Sequence, residues 1–573
     1  MAIHHFSSLP ISACNFISKP REFTGPILSI ARLKSGTNPS VLSNASRSVK
    51  CIVHERVSEG KDIIARRSAN YQPPIWHFNF VQSLKSEYVQ GGAFVKRVEN
   101  LKEEVREMLK RLKDDPLAQL QHIDVLQRLG LSYHFEEEIK KVFNAFWDER
   151  GNFSAGTSDN NIIAMLSLYE ASFHSIEGEG LLEEARNFTT KFLEEYVKSN
   201  EDQNGFLSFL VNHALELPLH WRMPRLESRW FIDVFERRQE MNPSLLELAK
   251  LDFNIVQATH QEDLKHVSRW WRGTGLGEKL DFARDRVMEN FMWTVGVAFE
   301  PQFGKFRRIS TKIYLLLTVI DDIYDVYGTL DELELFTDAV ERWNINAMDQ
   351  LPEYMRMCFF ALHNTINDMA FVVLKEQGFN IIKYIKKVWT DLCKAYLLEA
   401  KWYYSGYTPN LQEYIENAWI SVTVPVMLVH AYFLIENPIT KEALDCLEEY
   451  PSIIRQSSIL IRFADDLGTA SDEIKRGDVP KSIQCYMHEA GVSEEKAHRH
   501  IKLLISETWK DVNEDRLIAE SPFSNRFIES AANLARVAQC MYLYGDGHAS
   551  QDRETQERVL SLFVNPIPLN QEK

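Results

Sequence analysis

Cysteine is sparse in this chain, and its spacing excludes several classes of protein. Seven cysteines occur among 573 residues, and no two of them form a CxxC pair. A zinc site built on such pairs is therefore excluded, and scattered single cysteines indicate a reduced compartment. The chain also lacks the HExxH, G-x-S-x-G and G-x-x-x-x-G-K-[ST] segments that carry zinc-protease, serine-hydrolase and nucleotide-binding chemistry.

Basic residues are fewer than acidic residues. Lysine and arginine number 65 against 81 aspartate and glutamate residues, which gives a formal net charge of −16. Residues 1–54 differ, since they hold six basic residues and only Glu22 as an acid, so their net charge is +5 and the remainder carries −21. A body that acidic is a poor nucleic-acid binder. The basic, serine-rich, acid-poor N terminus is typical of an organelle transit peptide; the alternative is a disordered tail retained in the cytosol.

Long hydrophobic runs and strand-like alternation are both missing. No uninterrupted apolar run reaches the roughly 18 residues that a membrane span needs. Apolar residues instead recur at helical spacing, as in residues 94–109, where they fall at i, i+4, i+7 and i+11. A hydrophobic content of 45% is ample for buried cores. We therefore predict an all-α fold without a membrane span.

Chain length and one local signal predict the domain organisation. A chain of 573 residues suggests two large domains. Asn242 followed by Pro243 predicts a helix start, because Asn caps a first turn and Pro fits the first helical position. We predict a disordered transit peptide at 1–54, an N-terminal helical domain at 55–240 and a C-terminal domain at 241–573.

The sequence contains a cluster of aspartates at the end of an apolar segment that we predict to be helical. The run Ile313–Ile320 is almost wholly apolar and continues into Asp321, Asp322 and Asp325 without glycine or proline. On one helix Asp321 and Asp325 lie a turn apart on the same face. Carboxylates beside a hydrophobic core lose hydration and repel one another, which costs several kcal/mol for each uncompensated charge. The pattern predicts a bound cation.

A second acidic cluster lies far downstream. Asp465, Thr469 and Glu473 recur at i, i+4 and i+8, so their oxygens line one edge of a helix, as hard divalent cations require. Each cluster alone is also compatible with a solvated, acid-rich helix end. Arg462 lies just before the second cluster, and the segment Arg284–Arg286 precedes the first. Because guanidinium groups bind phosphate oxygens in a bidentate fork, the combination predicts a polyanion held between metal ions and arginines.

Together these elements resemble the angiosperm monoterpene synthase branch of the class I terpene synthase family. Four family motifs occur in the expected order, and the likeness runs from about Arg66 to the C terminus. The motifs are RRx8W (Arg66, Arg67 and Trp76), RxR (Arg284 and Arg286), DDxxD (Asp321, Asp322 and Asp325) and (N/D)D(L/I/V)x(S/T)xxxE (Asp465 to Glu473).

The resemblance implies a reaction and a set of ligands. A prenyl diphosphate, expected to be geranyl diphosphate, is ionised with three Mg2+ or Mn2+ ions, and the carbocation rearranges and is quenched to a monoterpene. By family analogy the ligands of two metal ions are Asp321, Asp322 and Asp325, and those of the third are Asp465, Thr469 and Glu473. The diphosphate is then expected to contact Arg284, Arg286, Arg462, Asp321, Asp325 and Asp465.

The resemblance also places an indole, Trp293, against the carbocation. Aromatic faces stabilise cations by roughly 0.5 to 2 kcal/mol per ring. Without the resemblance, Trp293 fits an ordinary core tryptophan. Weaker candidates for the same role are Tyr324, Tyr542 and Tyr544. An olefin-forming enzyme needs a base, for which Asp546 and His548 are candidates, although the diphosphate can serve that purpose itself.

The pair Arg66 and Arg67 allows two interpretations. In the family this pair, with Trp76, belongs to an N-terminal strand that closes over the pocket mouth. As a bare sequence feature, the two arginines are the last basic residues of the targeting region. The resemblance favours pocket closure.

One segment departs from the family pattern. Relatives usually carry about two additional helices between Val142 and Phe146, where this chain passes directly from one to the other. Such a loss is expected to expose apolar faces of neighbouring helices, at roughly 25 cal/mol per Å2. One alternative function is therefore an inactive or impaired terpene synthase-like protein. A separate alternative is a sesquiterpene or hemiterpene synthase, since the sequence does not fix the chain length of the substrate.

The remaining expectations concern related chemistry, partners and location. A trans-prenyltransferase would show a second DDxxD motif where this chain has Asp465 to Glu473, and no DxDD segment of class II cyclases occurs. We expect a prenyl diphosphate as the bound partner, no nucleic acid, no membrane span, and a monomer or weak homodimer. The transit-like N terminus predicts the plastid stroma.

Overall fold

The computed structural model describes residues 66–89, 93–145, 162–199, 205–238 and 241–569. Within these ranges the side chains of residues 93, 116–117, 143–145 and 471–476 are not described. The predicted transit peptide at 1–54 therefore lies outside the described residues, and so does the side chain of Glu473.

The described residues form helices and connecting turns without a strand, which confirms the all-α prediction. The first half contains α1 (Phe78–Ser83), α2 (Ala93–Arg111), α3 (Pro116–Arg128), α4 (Glu136–Ala145), α5 (Ile162–Ser172), α6 (Gly180–Ser199), α7 (Phe206–Glu216) and α8 (Pro224–Glu236). The second half contains α9 (Pro243–Thr274), α10 (Leu276–Lys279), α11 (Val287–Val297), α12 (Gly304–Asp322), α13 (Leu330–Arg342), α14 (Glu353–Gln377), α15 (Ile382–Ser405), α16 (Leu411–Ser421), α17 (Val424–Ile435), α18 (Lys441–Glu448), α19 (Ser452–Arg476), α20 (Ser482–Ala490), α21 (Glu494–Leu517), α22 (Asn525–Met541) and α23 (Arg553–Phe563).

Helix α9 joins the two halves of the chain. It begins as predicted, because the Asn242 side chain accepts a hydrogen bond from the Leu245 N–H at 3.2 Å and Pro243 takes the first helical position. It ends at Gly275, whose φ of 69° is the left-handed conformation that favours glycine. Its 32 residues pack against α1, α2 and α8 of the first half and against α11 and α12 of the second. The domain boundary at 240/241 stays a prediction.

Helix α12 is the innermost helix of the second half. Every residue of Ile313–Ile320 is buried, and the helix packs against α9, α11, α14 and α17. After Asp322 the α-helix changes into one π turn, Ile323–Tyr327, so the prediction of a single regular helix through Asp325 was wrong. Gly328 closes this turn by donating its N–H to the Ile323 carbonyl at 2.8 Å. A Cβ at Gly328 would lie 2.9 Å from that oxygen, so the turn requires glycine.

Polar contacts connect the first half to α21 and α22. The Asn513 amide on α21 donates to the Phe173 carbonyl at 2.9 Å and to the Ser175 carbonyl at 3.0 Å. Its oxygen lies 2.7 Å from Nε2 of His220, whose ring centroid is 4.0 Å from that of His174. Because these groups are buried, each depends on its partner across the interface for hydrogen bonding.

Apolar side chains remain exposed on α5 and α6. The exposed fraction is 79% for Leu181, 60% for Phe188 and 50% for Ile163. Burial of such surface is worth roughly 25 cal/mol per Å2, so this part of the first half gains less from folding than the core around α12.

Among the residues that the structure describes, two helical stretches are long and apolar enough to cross a membrane by length and composition, Glu353–Gln377 and Leu411–Ile435. The first is α14, which packs against α12 and α13, and the second comprises α16 and α17, which pack against α15 and α19. The buried share of their most apolar segments is 44% and 72%. Both helical stretches thus belong to the packed second half.

The buried histidines predict a stability that falls in acid. Burial lowers the pKa of His220 well below its usual value and that of His174 to about 3. In the unfolded chain both titrate near 6.5, so below that pH the unfolded state binds protons that the folded state does not. The stabilisation is complete above pH 6.5 and declines by roughly 1.4 kcal/mol per histidine for each pH unit below it.

We therefore expect the apparent melting temperature, followed by circular dichroism at 222 nm, to fall between pH 7 and pH 5.5. The variant His174→Asn, which removes one of these titrating groups, should show a shallower fall. A melting temperature that stays constant or rises as the pH is lowered from 7 to 5.5 would contradict the prediction.

Candidate active site

A cavity of about 130 Å3 lies among α11, α12, α19 and the break between α16 and α17. Charged and polar side chains form one part of its wall, which we call the polar end, and mostly apolar side chains form the rest, which we call the apolar end. The polar wall is formed by Arg284, Asp321, Asp325, Arg462, Asp465, Thr469, Asp478, Lys481, Asp546 and His548. The two acidic clusters, far apart in the sequence, thus line the same cavity.

In the first cluster the three carboxylates face different surroundings. Asp321 and Asp325 line the cavity, and the side chain of Asp321 is 28% exposed. Asp322 is fully buried, and its two oxygens accept hydrogen bonds from Arg284, one from the backbone N–H at 2.7 Å and one from Nε at 2.9 Å. The sequence predicted Asp322 as a metal ligand, but its geometry does not fit that role, because both of its carboxylate oxygens accept hydrogen bonds from Arg284.

The two arginines of the RxR element also differ. Arg284 lines the cavity, and its Nη2 donates to Asp321 at 2.6 Å while its Nε donates to Asp322. Arg286 is fully buried and donates to two backbone carbonyls at 3.0 Å, those of Gln72 and Ala549. Arg286 is not among the cavity-lining residues, so the diphosphate contact expected of it is replaced by contacts that hold neighbouring segments.

The second cluster repeats this arrangement on α19. Asp465 lines the cavity, and Arg462 forms ion pairs with both Asp465 and Asp466. Asp466 is fully buried and accepts further hydrogen bonds from the Tyr414 hydroxyl at 3.1 Å and the Ser482 N–H at 3.0 Å. Each cluster thus pairs a cavity-facing aspartate with a buried neighbour that holds an arginine.

The donor set at the polar end fits divalent cations. Burial and the charge of Asp321 raise the pKa of Asp325 well above its usual range. Burial raises the pKa of Asp465 to about 6, although Arg462 opposes the shift. The Thr469 hydroxyl is buried without a hydrogen-bond partner among the described residues. Crowded carboxylates and an unused oxygen are what a hard cation satisfies. The side chain of Glu473 lies outside the described residues.

Sequence reasoning missed Lys481. Its side chain is 6% exposed, lines the cavity with both acidic clusters and lies 3.8 Å from Oε2 of Glu399. It was missed because it belongs to no motif: it precedes α20, and its N–H donates to Gln484 at the start of that helix. Asp478, also missed, lines the cavity and bonds Arg67. The sequence signal for both is their position shortly after α19.

The apolar wall contains the predicted indole. Trp293 is 5% exposed and lines the cavity, and its ring lies 6.2 Å from that of Tyr542, which also lines it. Tyr324 bonds the Thr337 hydroxyl at 2.8 Å and Tyr544 is 55% exposed, and neither lines this cavity. Of the predicted aromatic candidates, Trp293 and Tyr542 are therefore the two that the fold brings to the site.

A strained turn completes the apolar wall. Between α16 and α17 the residues Ser421, Val422, Thr423 and Val424 all line the cavity. Thr423 has a φ of +71°, which is unfavourable for a β-branched residue. Such strain costs on the order of 1–3 kcal/mol and persists where surrounding structure imposes it.

The candidate bases, Asp546 and His548, line the same cavity. Asp546 accepts hydrogen bonds from the N–H groups of His548 and Ala549, at 3.1 and 2.8 Å. Burial, with the charges of Arg284 and Arg286, lowers the pKa of His548 well below its usual value, so the imidazole is neutral. A neutral imidazole is able to accept a proton.

The N-terminal segment reaches the same cavity. Arg66 forms a bidentate pair with Glu332 at 2.7 and 2.8 Å, and Arg67 donates to the Asp325 carbonyl at 2.8 Å and to Asp478 at 2.7 Å. The Tyr71 ring lies 5.0 Å from the Arg284 guanidinium and lines the cavity. Trp76 packs against Phe80, with ring centroids 5.6 Å apart, and does not line the cavity. We call residues 66–76 the N-terminal strap.

Comparisons with known proteins agree with this architecture. Residues 272–511 match the model of the terpene synthase family metal-binding domain, and residues 75–142 and 140–215 match that of the terpene synthase N-terminal domain. A chloroplastic myrcene synthase from Quercus ilex is 57% identical over 613 aligned positions that cover 100% of both chains. Because this chain has 573 residues, at least 40 of those positions have no counterpart in it.

Two solved structures share the fold. A limonene synthase with 2-fluorolinalyl diphosphate is 43% identical, with a TM-score of 0.82 over 88% of this chain and 100% of its own. An isoprene synthase from grey poplar leaves, in complex with three Mg2+ ions and dimethylallyl-S-thiolodiphosphate, is 44% identical, with a TM-score of 0.77 over 86% and 99%. The helical fold and the acid-lined cavity thus define a class I terpenoid synthase. The chain belongs to the terpene synthase family, in its plant monoterpene synthase branch.

The contacts of Arg66 and Arg67 predict that the strap is protected from proteolysis. We expect the double variant Arg66→Gln and Arg67→Gln to be cleaved by chymotrypsin after Tyr71 several-fold faster than the parent. The reason is that two partly exposed ion pairs, each worth on the order of 1 kcal/mol, are lost. Gel electrophoresis and mass spectrometry of the fragments measure the rate.

The matched control is Arg553→Gln, because the Arg553 side chain is 85% exposed and pairs only with Glu557 on its own helix among the described residues. Equal cleavage rates for the double variant and the parent would show that these arginines do not hold the strap.

Proposed function

We propose that the chain ionises geranyl diphosphate to a carbocation and converts it to a monoterpene and diphosphate. The observation that carries the proposal is the convergence of two acidic helices, two arginines and Lys481 on one cavity whose other end is apolar. Such a site binds a polyanion at one end and a hydrocarbon chain at the other.

The proposed metal ligands rest on the cavity lining for all but Glu473, which is proposed from its place in the second motif because its side chain lies outside the described residues. We assign Asp321 and Asp325 as metal ligands on one side of the cavity, and Asp465, Thr469 and Glu473 as metal ligands on the other. Divalent ions at these positions would act as Lewis acids that neutralise the leaving diphosphate. The printed description of the isoprene synthase relative names three Mg2+ ions, so we propose three Mg2+ here, with Mn2+ as the alternative metal. Asp322 serves instead to hold Arg284.

The diphosphate end uses fixed cations. Arg284 and Arg462 line the cavity and are each held by a fully buried aspartate, Asp322 and Asp466. Guanidinium groups fixed in this way do not need to reorganise as charge develops on the leaving group. Lys481 adds a third positive charge at the same end. Arg286 supports this end indirectly, by binding the strap at Gln72.

The apolar end protects the carbocation. Trp293 and Tyr542 present aromatic surface to the cavity, and each ring stabilises a cation by roughly 0.5–2 kcal/mol. The strap, with Tyr71, lies over the polar end and excludes water from the reacting carbon. We propose Asp546 and the neutral imidazole of His548 as acceptors for the proton that an olefin product loses, unless diphosphate accepts it.

Several features support the ten-carbon substrate and the plastid. Close relatives are named chloroplastic myrcene, γ-terpinene and ocimene synthases. The basic, acid-poor N terminus is compatible with import into that organelle, where we place the protein in the stroma. A monomer or weak homodimer stays our expectation for the assembly.

The direct test of the function is a substrate panel. The full chain and a form beginning at Glu55, which lacks the predicted transit peptide and keeps the strap, are each given geranyl, farnesyl or dimethylallyl diphosphate with Mg2+, and volatiles are analysed by gas chromatography. We expect a ten-carbon product from geranyl diphosphate, and equal or greater activity of the shorter form. Fifteen- or five-carbon products alone would favour the sesquiterpene or hemiterpene alternative, and no product at all would favour an impaired protein with a shortened N-terminal domain.

A single carboxylate tests the metal assignment. The variant Asp321→Asn should lower kcat at least about 100-fold, because a metal contact worth several kcal/mol is lost, while circular dichroism remains unchanged. The control Asp331→Asn, an exposed acid ten positions further on, should keep parental kcat. Near-parental turnover by Asp321→Asn would refute the assigned role.

A further inference from the structure

Helix α14 is apolar on two faces, although only one of them is buried. The helix packs against α12 and α13, and its buried residues include Cys358, Phe359, Leu362, Ile366, Met369 and Val373. On its outer face the exposed fraction is 50% for Phe360, 67% for Phe371 and 44% for Leu374. A soluble helix normally carries polar residues on its outer face, so a contiguous apolar face there indicates a contact surface.

The outer side chains have the spacing of a coiled-coil seam. They recur at alternating intervals of three and four residues, as the a and d positions of a heptad do. Asn364 is exposed, and Met357 and Asn367 are half-buried. The six side chains form one stripe about 25 Å long on one side of the helix. We call it the α14 stripe, and it consists of Met357, Phe360, Asn364, Asn367, Phe371 and Leu374.

The order of side-chain types along the α14 stripe is the same in both directions. A flexible or branched apolar residue lies at each end, a phenylalanine follows, and two asparagines lie at the centre. In an antiparallel pair of stripes centred between Asn364 and Asn367, Phe360 of one copy faces Phe371 of the other, and Met357 faces Leu374. A two-fold symmetric interface requires this reciprocity. A parallel pairing would not need it, because there each residue faces its own equivalent.

The layers of such a pair are chemically matched. Phenyl rings pack favourably against one another in offset or edge-to-face geometry. The central asparagine amides both donate and accept, so they satisfy each other across the axis. A shifted register would instead place an amide against a phenyl ring, which is how a polar residue in an apolar seam fixes the register.

The exposed area predicts a weak dimer. At the exposed fractions above, Phe360 and Phe371 together present roughly 200–300 Å2 of aromatic surface per chain. A stable interface of standard size buries about 800 Å2 per partner, so these rings supply about a third of one. We expect a dissociation constant in the micromolar range.

A membrane surface fits the α14 stripe less well than a second copy. A helix that lies in a bilayer interface has an apolar face bordered by many lysine and arginine residues. Here two asparagines interrupt the apolar face at its centre, and the chain has a formal net charge of −16, which opposes attraction to anionic lipids.

We propose that the α14 stripe is the surface on which a second copy of this chain docks, antiparallel, across a two-fold axis between Asn364 and Asn367. None of the six residues lines the cavity, so the interface leaves the candidate active site of each copy open to substrate. The proposal does not depend on the proposed reaction, because self-association is measured without substrate.

The first experiment measures self-association of the full chain by sedimentation velocity between about 1 and 100 µM, in about 0.15 M salt to screen the like net charge of two copies. We expect an equilibrium between monomer and dimer. Phe371→Glu and Phe360→Lys should each weaken the dimer at least about tenfold, because each buries a charge against a phenyl ring of the other copy.

Mixing the two variants tests the antiparallel register. In a dimer of one Phe371→Glu chain and one Phe360→Lys chain, the two new charges face each other and the second aromatic layer stays intact. The equimolar mixture should therefore associate at least about fivefold more tightly than either variant alone. In a parallel pairing the two charges would lie in different layers, so the mixture would gain nothing.

The control is Leu503→Glu, which places the same charge at a 61% exposed leucine on α21 and should keep the parental dissociation constant. Phe360 and Phe371 are both at least half exposed, so we expect all variants to fold. A melting curve for each variant checks this.

Several results would overturn the inference. They are a full chain that stays monomeric at 100 µM, single variants that associate like the parent, a mixture no tighter than its components, and equal weakening by Leu503→Glu. Two further measurements identify another occupant. A monomeric chain that floats with vesicles of phosphatidylcholine and phosphatidylglycerol would assign the stripe to a membrane. Dimerisation of the form beginning at Glu55 alone would show that residues 1–54 cover the stripe in the full chain.

Discussion

The arrangement depends on partly buried carboxylates that lie close to other negative charges in one cavity. Asp321, Asp325 and Asp465 come from two helices and share a wall where burial raises the pKa of the latter two. Arg284 and Arg462 partly neutralise this negative charge, and each of them forms an ion pair with a fully buried aspartate. The result is a site in which negative charge is concentrated but only partly neutralised, so it has capacity for cations and for an anion bound between them.

The remainder of the cavity follows from the opposite requirement. A carbocation must be surrounded by groups that stabilise it without reacting, which favours aromatic faces and alkyl side chains over hydroxyls and water. The indole of Trp293, the ring of Tyr542 and the alkyl side chains of Val422 and Val424 provide such a surface. The strain at Thr423 shows that the shape of this wall is not what the chain would adopt locally, so the surrounding tertiary structure must impose it.

Much of the fold was predictable from local patterns, and part of the site was not. Helical periodicity predicted α2, and the Asn242 and Pro243 signal predicted the start of α9, because both depend on neighbouring residues alone. The π turn after Asp322 was not predictable, since it depends on packing against Gly328. Lys481 was missed for a related reason: it is an ordinary charged residue in the sequence, and only the tertiary packing before α20 brings it to the cavity. The same limit applies to Asp322 and Arg286, whose partners are set by tertiary structure.

The strap has a consequence for the predicted transit peptide. Its first two residues, Arg66 and Arg67, bind Glu332, the Asp325 carbonyl and Asp478, and Asp325 and Asp478 line the cavity. Removal of a transit peptide therefore keeps these contacts only where cleavage occurs before Arg66. The arginines thus set a limit on where such a peptide can end, independently of any sequence preference of the peptidase.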